Sequence, residues 1–272
     1  MKLPFVQVDA FADRPFTGNP AAVMPLEAWL ADDLLQAIAA ENNLAETAFI
    51  LPDASGAADY ELRWFTPAVE VALCGHATLA SGHYVLGKFP ERERVTFRTR
   101  KAGILEVARD GDRYRMALPS YPPEPQPLPE VLKALGLTSG ETLRHPGGYD
   151  LTVLDSAEAV LALQPDFRAL AALGDTLNIV TAPGTPGSGA GAGSDVISRV
   201  FAPAAGIDED PVTGSAHSVL TPYWAARLGR DSFTAYQASP RGGHVACTLK
   251  GDRAILGGQC VTLIEGWFLI GE

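Results

Sequence analysis

The sequence predicts an α+β fold built from two related halves, and three observations carry that expectation. First, Leu73-Cys74-Gly75-His76-Ala77-Thr78-Leu79-Ala80 and Ile207-Asp208-Glu209-Asp210-Pro211-Val212-Thr213-Gly214-Ser215-Ala216-His217 each place a glycine and a histidine where a small-residue helix opens. Gly75 and Gly214 lie 139 residues apart in a chain of 272, close to half its length. Second, the helix after Gly75, about His76 to Leu86, has no charged residue on any side, the mark of a helix enclosed by other structure. Third, short strand-like runs crowd before and after the run Pro119 to Pro129, where six prolines in eleven residues predict a stiff extended connector. The boundary placed there gives domains 1–118 and 119–272, with the last strand free to return to the first domain.

In chain order, Phe5 to Phe11 reads as a strand, followed by a turn-rich stretch and a short apolar run, Ala21 to Met24. Pro25 is expected to open a helix with the stripe Leu26, Trp29, Leu30, Leu34, Ala37 and Ile38, and with Asp32, Asp33 and Gln36 outward. Asn42 to Leu51 has strand character, and period-two alternation puts Glu46 on the face of Leu44, Ala48 and Ile50. A carboxylate on an apolar face is costly unless paired or protonated, and burial pushes a glutamate toward the range useful for moving protons at neutral pH. The alternatives are a glutamate on an edge strand facing water, or a strand that starts only after Glu46.

Tyr60 to Thr66 is a strand. The enclosed helix is expected to end with Gly87 as its cap. Strands follow at Arg94 to Thr99, Gly103 to Arg109 and Asp112 to Leu118, the last two joined by a hairpin at Asp110-Gly111. Beyond the connector come a short helix, Glu130 to Leu135, and strands at 151–155, 159–163, 177–182, 196–202, 233–238, 244–250, 259–264 and 267–270. The glycine-rich run Pro183 to Ser194 contains neither GxGxxG nor GxxxxGK[ST] and is expected to be a flexible loop. A second enclosed helix runs from Gly214 to Leu228 and ends at Gly229, with a kink or restart expected at Pro222.

With 47% hydrophobic and 19% charged residues, the composition is that of a globular protein. A net charge of −11 argues against a nucleic-acid partner, which calls for a basic stripe. No run of about 18 apolar residues is present, so no membrane span is expected. Cysteines at 74, 247 and 260 form neither a CxxC pair nor a zinc quartet, so no metal is expected and a reducing cytoplasm fits.

A helix N-terminus presents free N–H groups and partial positive charge, and glycine there admits a ligand to the backbone. Two such starts facing one cleft would clamp a small anionic substrate. Plain capping by Thr213 and complementation of the helix dipole by Asp208, Glu209 and Asp210 is the competing explanation.

Phe16-Thr17-Gly18-Asn19-Pro20, Asn43-Leu44-Ala45-Glu46-Thr47-Ala48-Phe49, Leu73 to Thr78, Gly206 to His217 and Arg241-Gly242-Gly243 together resemble the phenazine-biosynthesis PhzF-like family, over essentially the whole chain. The resemblance implies a fold similar to that of diaminopimelate epimerase: two domains of like topology, each a curved sheet around a central helix, with the site between them. The best-understood activity of the family is isomerisation of dihydro-3-hydroxyanthranilate by proton transfer between ring carbons, without a cofactor. Carried to this sequence, it implies Glu46 as the proton carrier, His76 and Asp210 as its partners, and Asn19, Gly75, Ala77, Gly214 and Ser215 as substrate contacts. His217, one turn inside the second helix, is expected behind those contacts. A homodimer is also implied.

Two other readings compete. A thiol-based racemase of the same fold needs a cysteine at each helix start, and only Cys74 is so placed. A binding protein without catalysis would keep the cleft and lose the chemistry.

Overall fold

The computed structural model describes residues 1–184 and 191–271. Contacts along the chain divide into two compact units, Met1–Ala117 together with residues from Gly257 on, and Leu118–Leu256.

The first unit contains, in order, β1 (Lys2–Ala10), β2 (Asn19–Pro25), α1 (Asp32–Asn42), β3 (Glu46–Pro52), β4 (Tyr60–Phe65), the two-residue β5 (Glu70–Val71), α2 (Gly75–Lys88), β6 (Arg94–Thr99), β7 (Ile104–Asp110) and β8 (Arg113–Pro119). β1 runs antiparallel to β2, β2 parallel to β3, and β3 antiparallel to β4. β4 then lies parallel to β6, while β6, β7 and β8 form an antiparallel meander. The helix α2 touches β1, β2, β3, β6 and β7, so the sheet bends around it. Its small residues permit that approach. A Cβ on Gly82 would stand 2.4 Å from a Val107 methyl on β7, closer than any repulsive wall allows. The opposite face of the sheet buries Leu3, Met24, Leu26, Phe49 and Phe65 against Leu35, Ile38 and Ala39 of α1.

That two-sided burial corrects the alternation expected around Glu46. β3 begins at Glu46, and Thr47, Ala48, Phe49 and Ile50 are all buried, because α1 covers one face and α2 the other. Phe49 faces the α1 cluster, which leaves Glu46, Ala48 and Ile50 on the α2 face. The segment before Glu46 is not strand: Asn42 ends α1 and Asn43 caps it in the left-handed conformation at φ 49°.

The helix expected from Pro25 starts at Asp32 instead. Pro25 is the last residue of β2, and Leu26, Trp29 and Leu30 pack on the same apolar cluster from a loop, with the Trp29 indole donating to Glu61 at 3.2 Å. Leu35 and Ala39, not Ala37, carry the buried stripe with Ile38. Gly87 is a residue of α2 rather than its cap; the helix runs on to Lys88 and the cap position is Phe89.

The second unit contains β9 (Glu124–Pro125), α3 (Pro129–Ala134), β10 (Glu141–His145), β11 (Tyr149–Val153), α4 (Ala157–Ala162), α5 (Phe167–Ala172), β12 (Leu177–Pro183), β13 (Val196–Phe201), a 3-10 turn (Pro203–Ala205), α6 (Gly214–Leu228), β14 (Ser232–Gln237), β15 (Gly243–Lys250) and β16 (Arg253–Gly258). β9, β10 and β11 pair antiparallel, and β11 lies parallel to β12. β12 is antiparallel to β13, β13 parallel to β14, and β14 antiparallel to β15. α6 packs against β11 and β15, and the Trp224 indole donates to Thr181 of β12 at 3.0 Å. α3, α4 and α5 cover a second cluster with Val180, Ala182, Ile197 and Phe201.

The proline-rich run is not a free connector. Its N–H groups are taken by Asp252 (from Ser120), Ser218 (from Tyr121) and Thr142 (from Gln126), and part of it forms β9. The Tyr121 bond explains why Pro222 neither breaks α6 nor restarts it. Proline at 222 leaves the carbonyl of Ser218 without its helical donor, and the Tyr121 N–H reaches that carbonyl at 2.9 Å.

Of residues 159–163, expected as a strand, 159–162 belong to α4 and Leu163 is its C-cap, while Ser156 caps the start by accepting from the Ala159 N–H. The expected strands at 259–264 and 267–270 are one strand, β17 (Cys260–Leu269), which returns to the first unit, pairs antiparallel with β1 and touches α2. Of the glycine-rich run, residues 185–190 lie outside the described residues. Among the described residues no helix is long and apolar enough to cross a membrane.

Candidate active site

In the first unit, the sequence-derived candidates converge on the start of α2. Glu46 opens β3 with its side chain 13% exposed, and its Oε2 lies 3.0 Å from Nε2 of His76, the second residue of α2. On the other side of the same ring, Cys74 Sγ lies 3.5 Å from His76 Nδ1. Carboxylate, imidazole and thiol thus form one line. Burial works against a charged imidazole, but the Cys74 sulfur and the Glu46 carboxylate outweigh it and raise the His76 pKa well above the ordinary histidine value. Burial, reinforced by the Glu46 charge, pushes the Cys74 thiol up, while the neighbouring His76 pulls it down.

Neither enclosed helix caps its own start. Cys74 and Thr213 occupy the two N-cap positions without a side-chain cap bond, and neither first turn carries a carboxylate. Gly75 and Ala77 are buried beside His76. Asn19, also buried, opens β2. Because Ala21 of β2 is the parallel neighbour of Glu46, Asn19 shares the sheet face that Glu46 occupies.

Among the described residues, Glu46, Cys74 and His76 form the one group whose donor atoms lie close enough together for a metal, all within 4.8 Å. The ring stands between the other two ligands, sulfur at Nδ1 and carboxylate at Nε2. A metal held through a single ring nitrogen would have to draw one of them round the imidazole.

In the second unit, the acidic stretch separates into three different residues. Asp208 is exposed. Glu209 makes a bidentate pair with Arg199 at 2.8 and 2.9 Å, and Arg199 also reaches the carbonyls of Val160 and Leu163, which is a structural role. Asp210 is half-buried and accepts from the Thr213 hydroxyl at 2.5 Å. Gly214 is buried at the start of α6, and Ser215 after it is half-buried. His217 is fully buried behind them; its Nδ1–H donates to the Thr213 carbonyl at 2.8 Å, and burial lowers its pKa to about 4, so it is neutral.

Sequence reasoning missed two contributors: Cys74 as a neighbour of the His76 ring, and Gln237, which bonds both Thr213 and Asp210. The first was legible in principle, since Cys74 and His76 flank one glycine. The second comes from a strand further along the chain, and no local pattern marks it. Elsewhere, Gly242 of the Arg241-Gly242-Gly243 motif has φ +66° and sits beneath Tyr236, where a Cβ would fall 2.0 Å from the ring hydroxyl.

A family profile described as phenazine biosynthesis-like protein, PhzC-PhzF, matches residues 8–266. An uncharacterized isomerase of Pseudomonas aeruginosa is 49% identical over 98% of both chains. A crystal structure of a phenazine biosynthesis protein of the PhzF family from Enterococcus faecalis is 43% identical, superimposes with a TM-score of 0.89, and covers 99% of this chain and 100% of that one. At 14% identity and a TM-score of 0.60, a hydroxyproline epimerase from Agrobacterium vitis shares the α+β fold alone, over 98% of this chain and 92% of its own. With the profile spanning nearly the whole sequence and a relative at 49% identity, this chain belongs to the phenazine biosynthesis-like PhzC-PhzF family.

Proposed function

We propose that this chain is an isomerase that moves a proton within a small carboxylated substrate, with Glu46 as the base and no cofactor. The observation that carries the proposal is the Glu46–His76 contact of 3.0 Å in a nearly dry site on the α2 face of the sheet. Abstracting a proton from carbon needs a positioned base and a hydrogen-bond donor for the enolate that forms. Glu46 supplies the first and His76, holding its proton, the second. The uncapped N–H groups at Gly75, His76 and Ala77 suit a substrate carboxylate, since a helix start attracts anions. Asp210, Gly214, Ser215 and Asn19 enter the proposal as substrate or proton-transfer contacts through the family motif. The isomerase name of the Pseudomonas relative supports the reaction class.

Both proton carriers are side chains, so neither nicotinamide nor metal is called for by the chemistry itself. The partners proposed are a small anionic substrate and a second copy of the chain in a cytoplasmic homodimer. Nucleic acid is not among them at a net charge of −11, and no membrane role is proposed.

The thiol-based reading is favoured by one contact, Cys74 beside His76. It lacks a second thiol at the other helix start, where Val212 and Thr213 stand. Cys247 is buried in β15, and burial pushes its thiol up to about 12. The two readings separate cleanly: Glu46→Gln abolishes turnover and Cys74→Ser retains it if glutamate is the base, and the reverse holds for a thiol enzyme. A protein that binds cyclic carboxylates without any solvent-deuterium exchange would be the non-catalytic binder.

A further inference from the structure

Gln237 closes β14 with no solvent exposure, and all of its side-chain hydrogen-bonding capacity toward the α6 start is used on two residues. Its Oε1 accepts from the Thr213 N–H at 2.9 Å. Its Nε2 donates to the Asp210 carbonyl at 2.7 Å and to the Thr213 Oγ1 at 3.1 Å. The amide can take only this orientation, because a flip would set two donors, Nε2 and the Thr213 N–H, against each other.

The consequence falls on Thr213. Its hydroxyl carries one proton, and the oxygen already receives a hydrogen bond from Gln237. The proton is therefore directed at Asp210 Oδ2, 2.5 Å away. The backbone around this pair is also fastened: the Asp210 N–H reaches the Val200 carbonyl of β13 at 3.0 Å, and the Ser239 hydroxyl donates to the Pro211 carbonyl at 2.8 Å. Glu209 is held by Arg199, Asp208 faces solvent, and His217 is neutral and bonded to the Thr213 carbonyl.

We propose that Gln237 is a positioning residue which, through the Thr213 hydroxyl, holds the Asp210 carboxylate in place and favours its ionised form. The inference rests on the reading of Asp210 as part of the proton-transfer machinery. Its test, however, does not require turnover.

The test is the titration of Asp210, followed by the 13C shift of its carboxyl in the full-length protein and assigned by Asp210→Asn. A carboxylate that loses a donor titrates at higher pH. Thr213→Val, nearly isosteric, is expected to raise the Asp210 midpoint by about one pH unit or more. Thr213→Ser, which keeps the hydroxyl, is expected to restore the wild-type midpoint. Gln237→Met is expected to raise it as well, although Gln237 touches neither carboxylate oxygen. If that variant does not fold, Gln237→Leu replaces it, removing both N–H donors without adding a charge, with the same upward shift expected. An Asp210 midpoint unmoved by the Gln237 substitution overturns the role of Gln237, and one unmoved by Thr213→Val overturns the whole relay. Whether Asp210 takes part in the reaction is decided separately, by the turnover of Asp210→Asn.

Discussion

Replacing Glu46 by Gln should change how His76 titrates. His76 is 5% exposed, with Glu46 Oε2 at 3.0 Å from its Nε2, and its pKa is raised well above the ordinary value near 6.5. An opposite charge at such a distance shifts a titrating group by about 1–3 units, while burial pulls a histidine the other way. Without the Glu46 charge the His76 midpoint is therefore expected to fall by about 1–3 pH units. At about 1.4 kcal/mol per unit, this amounts to roughly 1.4–4 kcal/mol of stability. A pKa raised on folding stabilises fully below the unfolded value and loses that contribution as pH rises through the folded one. The wild type should accordingly exceed Glu46→Gln in stability most at about pH 6, and the gap should close as pH climbs past the raised midpoint. Long-range 1H–15N spectra of 15N-histidine protein, which contains five histidines, follow the ring directly between about pH 5 and 10. A His76 midpoint that stays within about 0.3 units of wild type in Glu46→Gln would refute the coupling.

Further expectations concern the residues around that pair. Glu209→Gln should cost about 3–5 kcal/mol by leaving Arg199 uncompensated in a site where both side chains are 12% exposed. Turnover per folded molecule should survive it, whereas Asp210→Asn should lose turnover with little change in stability; denaturant unfolding and an activity assay distinguish the two. Gly82→Ala should destabilise by about 1–3 kcal/mol, because its Cβ would meet Val107 at 2.4 Å, even though alanine is the better helix former. A melting temperature at or above wild type would show that α2 can move away from β7. Cys74→Ser should leave catalysis within about tenfold of wild type if the thiol only neighbours the His76 ring, and a loss of about 10²-fold or more would return the thiol-based reading.

The bounds of α6 were legible in the sequence, though not its passage through Pro222. Gly214 and Gly229 mark its ends, and Pro222, which looked like a break, is accommodated by a bond from Tyr121 a hundred residues away. β6, Arg94–Thr99, has the bounds the sequence predicts. Errors arose where a local signal had two solutions. Ala159 to Leu163 is a short apolar run that suits a strand or a buried helix, and the cap at Ser156 decides for helix. Pro25 suits a first helical turn or a strand end, and pairing of β2 with its neighbours selects the strand. Glu46 lies on the same face as Ala48 and Ile50, as expected, though alternation is not the reason, since both faces of β3 are buried. What brings Gln237 to Asp210 is tertiary packing alone, which no window of sequence displays.

Whether Glu46 moves the proton can be read from solvent deuterium. Wild type and Glu46→Gln would be incubated in D2O with small cyclic and amino-acid-like carboxylates, beginning with dihydro-3-hydroxyanthranilate, and followed by 1H NMR. Wild type is expected to isomerise one of them with deuterium entering at carbon, and Glu46→Gln to remain folded, bind that substrate and lose turnover by about 10²–10⁴-fold. Exchange by Glu46→Gln at the wild-type rate would contradict that role for Glu46.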